Sequence, residues 1–215
     1  MLQIAQEDYQ IIKRRTATEN ECKLDLNLEL PKMFDAYHEA VSLYSKEIMQ
    51  TPVQSRVISL EASLLNSKMI QCIQSHFPKN WKFGKYKRFM LRANGYTVLF
   101  KKLNDKNKPM NIKTFHSTAI SNQMQISLFD NGHQSIDPIL IFGYKKNRIG
   151  GIYDPKLVYI DENEVRWMIT ESAVENSLGL NINRKPAIEK VLPAVKVSPT
   201  VKILSTKRAS NDNTP

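Results

Sequence analysis

The sequence predicts an α+β fold: an N-terminal helical pair packed on a mainly antiparallel sheet, followed by a flexible basic C-terminal tail. Apolar residues recur at three- and four-residue intervals through residues 31–77. From Gly95 the chain breaks into short segments rich in Val, Ile, Phe, Tyr and Thr between polar turns. Strands and helices do not alternate as a doubly wound parallel sheet requires. At 215 residues the expected organisation is a single domain over 1–183, helical to about 78 and mainly β over about 79–170, with the tail at 184–215.

Residues 1–16 carry Leu2, Ala5, Tyr9 and Ile12 at helical spacing and predict a first helix. Lys23 to Leu30 alternates apolar and polar residues, the period-2 signature of a half-buried strand. Pro31 opens a helix carried by Phe34, Tyr37, Val41, Tyr44 and Ile48. Thr51 has N-cap chemistry, with Pro52 in the following first turn, and Val53, Val57, Leu60, Leu64, Ile70, Ile73 and Phe77 carry a second helix to Pro78. Two antiparallel helices over 31–50 and 52–77 result. Strands are expected at 95–103, 111–118, 123–129, 138–145, 156–161 and 164–170, the last two forming a hairpin about Asp161-Glu162-Asn163. Gly150-Gly151 is a further turn candidate, and residues 171–182 read as a short helix. Four prolines amid Lys, Ser, Thr and Asn make the rest a flexible tail.

The formal net charge is +10, and it is concentrated. Residues 79–113 hold 11 Lys and Arg against the single Asp105, and residues 184–208 hold seven against Glu189. Localised positive potential attracts polyanions and speeds their encounter. Within 79–102 the cations alternate with Trp81, Phe83, Tyr86, Phe89 and Tyr96. Flat rings offer unpaired bases a stacking surface worth roughly 1–3 kcal/mol each. The same pattern also suits a strand pair with rings inward and charges outward, which places Phe89, Tyr96 and Phe100 in the core. Lys79, Lys82, Lys85, Lys87, Arg88, Arg92, Lys101 and Lys102 are the expected phosphate contacts. Solubility or an acidic protein partner is the competing use of these charges.

Gln125-Ile126-Ser127-Leu128-Phe129 resembles the pentapeptide by which many bacterial replication and repair proteins bind the DNA sliding clamp: glutamine, an aliphatic residue, serine or aspartate, leucine, phenylalanine. The resemblance covers these five positions and implies a partner, not a fold. Leu128 and Phe129 would anchor in an apolar pocket, with Gln125 hydrogen-bonding at its rim. The same residues also alternate as a half-buried strand does.

Cys22 and Cys72 lie far apart in no metal-like spacing, and read as reduced thiols in a cytoplasmic setting. No run of apolar residues is long enough to span a bilayer, and the N-terminus lacks a secretory pattern. The four histidines show no zinc spacing, although His116 and His133 are conceivable as an acid–base pair. Walker, Rossmann, nucleophile-elbow and kinase motifs are missing. A metal-dependent nuclease would draw on Asp137, Lys145 and Glu61, although Gly143 stands where an acid-x-Lys pair needs its acid; only that reading calls for a cofactor, a divalent metal. Whether the protein is an enzyme stays open. The expected function is a nucleic-acid-associated binding protein, of the kind found as replication-interfering toxins with an antitoxin partner or as mobile-element and phage proteins. The alternatives are the nuclease and an adaptor for an acidic protein.

Overall fold

The computed structural model describes residues 13–57, 59–124, 136–147 and 150–177. The expected helix over 1–16 falls almost wholly outside them, as do Gln125–Phe129, His133, the end of the 171–182 helix and the 184–215 tail.

Thr18 starts the first helix, α1 (Glu19–Asp25), through a reciprocal capping box: its hydroxyl accepts from the Glu21 N–H, and the Glu21 carboxylate accepts from the Thr18 N–H. This corrects the strand expected over Lys23–Leu30. Cys22, Leu26 and Leu30 stand four residues apart and are buried together, while Leu24 and Leu28 are 74% and 67% exposed. Half of the alternating leucines obey a helical period, and a satisfied cap prevails over a strand signal written in leucine.

Helix α2 (Glu29–Ile48) takes Pro31 in its first turn, where a missing N–H costs nothing. Its buried stripe runs through Met33, Phe34, Tyr37, Ala40, Tyr44 and Ile48. Helix α3 (Leu60–His76) returns antiparallel, with Glu39 meeting His76 and Glu47 meeting Lys68. It begins eight residues later than the sequence suggests. Pro52 opens a single 3-10 turn (Val53–Ser55), Val53 and Val57 are exposed, and Arg56 donates to the Ile48 and Thr51 carbonyls at the end of α2. Those carbonyls have no partner within the helix, so a partly buried guanidinium closes it.

Six strands follow in a single sheet ordered as in the chain: β1 (Trp81–Gly84), β2 (Arg88–Ala93), β3 (Tyr96–Lys102), β4 (Ile139–Lys146), β5 (Ile152–Asp161) and β6 (Glu164–Thr170). All neighbours are antiparallel except β3 and β4. Asn94-Gly95 and Glu162-Asn163 both sit at positive φ, the geometry that joins tight hairpins. The parallel β3–β4 pair requires a crossover. It carries α4 (Phe115–Ser121), capped by Thr114 and Ser117, where the sequence suggests a strand over 111–118. A last helix, α5 (Glu171–Ser177), is joined to α2 by His38 and Glu171 at 2.8 Å.

The sheet is covered unequally. One face packs Phe89, Leu91, Tyr96, Val98, Phe142 and Tyr159 into the main core with α1, α2 and α3. The other face carries Met90, Leu99 and Ile139 against Ile120 of α4, and Leu103 against Ile141, Val158 and Ile160. This second face is the crossover side. No helix among the described residues is long and apolar enough to cross a membrane.

Candidate nucleic-acid interface

Side chains alternate between faces along a strand. With Phe89 and Leu91 turned into the main core, Arg88, Met90 and Arg92 face the crossover side. Lys82 pairs in register with Met90 and joins them, as does Lys101, flanked by Phe100 and Lys102. Lys102 points to the opposite face, so the cationic residues do not form one surface. Lys79 precedes β1 and is exposed; the β1–β2 turn holds Lys85 and an exposed Lys87. Phe89 and Tyr96 are buried as expected, and Phe100 is half-buried against them.

Two groups of cations emerge. At one end of β2, Arg92 donates to Asp137 at 3.1 Å beside an open groove of about 500 Å³ that also includes Lys79, Lys82 and Asn94. At the other end the β2–β3 register, continued from Leu91 opposite Val98, sets Arg88 beside Lys101. Both are half-buried, and neither forms an ion pair with a carboxylate among the described residues. Burial lowers the Lys101 pKa from its ordinary value, and the adjacent Arg88 charge lowers it further; burial lowers that of Arg88 as well. Like charges withdrawn from water beside each other oppose folding, and an anion between them would offset that cost.

The two cations line a cavity of about 260 Å³, floored by Leu99 and Ile141 and walled by Asn111, Thr114, Ser117 and Ile120 of the crossover. Rings stand close by. Tyr86 is 71% exposed, its ring centroid 5.7 Å from that of His116; Phe115, 78% exposed, lies 5.8 Å from the same imidazole. Tyr86 and Lys87 hold left-handed backbone conformations (φ 58° and 54°), which non-glycine residues adopt at an energetic cost. Phe115 is the residue that sequence reasoning missed, and His116 was considered there only as an acid–base partner of His133, because a strand was expected over 111–118. The Thr114-x-x-Ser117 capping spacing was the signal that would have moved them onto a helix.

Asp137, Lys145 and Glu61 are not brought together. Asp137 precedes β4 and Lys145 lies near its far end, about 26 Å along the strand. Lys145 is paired with Asp154 at 3.2 Å, and Lys156 reaches the same carboxylate at 2.8 Å. Glu61 lies on α3, across the sheet from Lys145, and is bound by Lys146 and Arg56. Strand alternation separates the neighbouring lysines 145 and 146, so the expected trio cannot converge. Among the described residues no cluster of three or more His, Cys, Asp or Glu could hold a metal ion.

At the N-terminal end of β4, Arg14 and Arg15 hold both flanks of residues 125–135. The Arg14 N–H donates to the Gln123 carbonyl and the Arg15 N–H to the Ile136 carbonyl, while the Arg14 guanidinium reaches the Met124 and Asp137 carbonyls.

The arrangement defines an α+β protein with a paired-cation pocket on its crossover side. Compared with protein-family models, with curated proteins and with solved structures, the chain matches none.

Proposed function

We propose that this is a nucleic-acid-associated binding protein whose polyanion lies along the crossover-side face of β1, β2 and β3. The observation that carries the reading is the pair Arg88–Lys101: two half-buried cations, side by side, without a carboxylate partner among the described residues. Surface lysines kept for solubility gain nothing from burial next to another cation, whereas a phosphate oxygen between them satisfies both. Arg92 and Lys82 extend the track along the same face, and exposed Lys79 and Lys87 flank it.

The test is the salt dependence of oligonucleotide binding. Each lost phosphate contact reduces the slope of log K against log salt by about one. Replacement of Arg88 and Lys101 by Gln and Met lowers the slope by about two on this reading. A slope unchanged in that variant, and in a second one replacing Lys82, Lys85 and Lys87, removes the segment from the interface.

A second reading concerns Gln125–Phe129, whose likeness to the clamp-binding peptide implies docking on the DNA sliding clamp and, through it, interference with replication. What supports it is that the described flanks, Gln123–Met124 and Ile136–Asp137, are held by Arg14 and Arg15. A Gln125→Ala, Phe129→Ala variant loses clamp pull-down and keeps its melting temperature if the peptide docks. Unfolding of that variant assigns both side chains to the core.

A further inference from the structure

We infer that the Arg88–Lys101 pocket and the Tyr86–His116–Phe115 rim together select an unpaired nucleic-acid strand, with a phosphate seated between the cations and the adjoining base stacked on the rings. This deepens the binding reading above and rests on it.

Size, exposure and position converge on that ligand. A cavity of about 260 Å³ falls below the range of pockets that enclose a whole drug-sized ligand, so it takes a phosphate and leaves the rest of a nucleotide outside. What lies immediately outside is aromatic. Tyr86 and Phe115 expose most of their surface on either side of His116, and Ile112 beside them is 87% exposed. Large apolar groups gathered at a polar rim mark an interaction surface rather than idle exposure. A duplex hides its base faces within the stack and has nothing to offer these rings, whereas an unpaired strand presents a phosphate and a π-face on every nucleotide. On the crossover side Arg88 and Arg92 stand four residues apart on β2, and Lys82 on β1 lies opposite the intervening Met90, so the three cations run in line along the strands.

The experiment titrates the full chain with a short oligothymidylate, with a duplex of matched length, and with an oligomer of the same backbone lacking bases, read by fluorescence anisotropy. Variants Tyr86→Ala and Phe115→Ala alter exposed side chains, and their melting temperatures confirm folding. The expected result is single-strand binding tighter than duplex binding, and loss of single-strand affinity by about 10-fold in each ring variant, as removal of one base–aromatic stack produces. The base-free oligomer then binds wild type and ring variants equally. Equal affinity for strand and duplex, together with ring variants that bind oligothymidylate as wild type does, overturns the stacking inference and leaves the phosphate reading standing. Failure to bind any of the three at low salt overturns both.

Discussion

Leu103 lies directly on Gly143. A Cβ built on the glycine would stand 2.3 Å from Leu103 Cγ, and Leu103 is itself enclosed among Ile141, Val158 and Ile160. The first residue after β3 is thereby keyed into the middle of β4, which fixes the crossover that walls the cation pocket. Gly143→Ala forces the leucine out of a filled site. Overpacking of this kind costs about 1–3 kcal/mol, read as a lower urea midpoint with an unchanged slope. A neutral Gly143→Ala variant would mean that the leucine has room to turn.

Lys101 opposes folding and, on the proposed reading, serves binding, so the two properties are expected to respond to it in opposite directions. Lys101→Met weakens oligonucleotide binding and raises the melting temperature by roughly 2–4 °C, the shift that about 1 kcal/mol produces in a domain of this size. A variant that loses both stability and binding would show instead that the ammonium has a structural partner.

The pH dependence follows from the same lowered pKa. In the folded protein Lys101 releases its proton below the usual lysine range, because of burial first and Arg88 second. Between that value and the ordinary one, the unfolded chain binds more protons, so this residue makes stability rise with pH there. Below the window both states are charged and the cost is constant. Phosphate binding needs the ammonium and falls across the same window as pH rises. Titration of both quantities in wild type and Lys101→Met isolates the contribution.

Gln123 ties the crossover to the sheet. Its buried amide donates to the Ile139 and Ile160 carbonyls at 2.9 and 2.7 Å and accepts from the Ile139 N–H at 2.9 Å. Gln123→Leu conserves bulk but leaves backbone groups unpaired. A cost of about 1–3 kcal/mol for each group left unsatisfied is expected, with the measured loss visible in denaturant unfolding.

Cys22 and Cys72 are buried, and burial pushes their thiols up to about 12 and about 11. A thiol in that state presents almost no thiolate at neutral pH. Neither reacts with an aromatic disulfide reagent in the native protein, and both react in urea; rapid native labelling of either would contradict the burial.

Much of the architecture was legible locally. Apolar periodicity located α2 and most of α3, and β-branched runs located β3, β4, β5 and β6, with the Asp161–Asn163 turn between the last two. The failures are local as well. Over Lys23–Leu30 the alternating leucines suggest a strand, but the Thr18–Glu21 box starts a helix ahead of them; over 111–118 Thr114 and Ser117 cap a helix in the same way. In both places a cap within one helical turn decided the outcome.

The chain by itself determined the class of fold and the concentration of positive charge in two segments, 79–113 and 184–208, because periodicity, turns and composition are written in neighbouring residues. Which of those charges meet was decided only in three dimensions. Arg88 reaches Lys101 through the register set by the Asn94-Gly95 turn, while strand alternation sends Lys102 to the other face and parts Lys145 from Glu61. The parallel β3–β4 pairing obliges the chain to cross over the sheet, and that crossover brings Thr114 and Ser117, the neighbours of Phe115 and His116, to the pocket lined by Arg88 and Lys101.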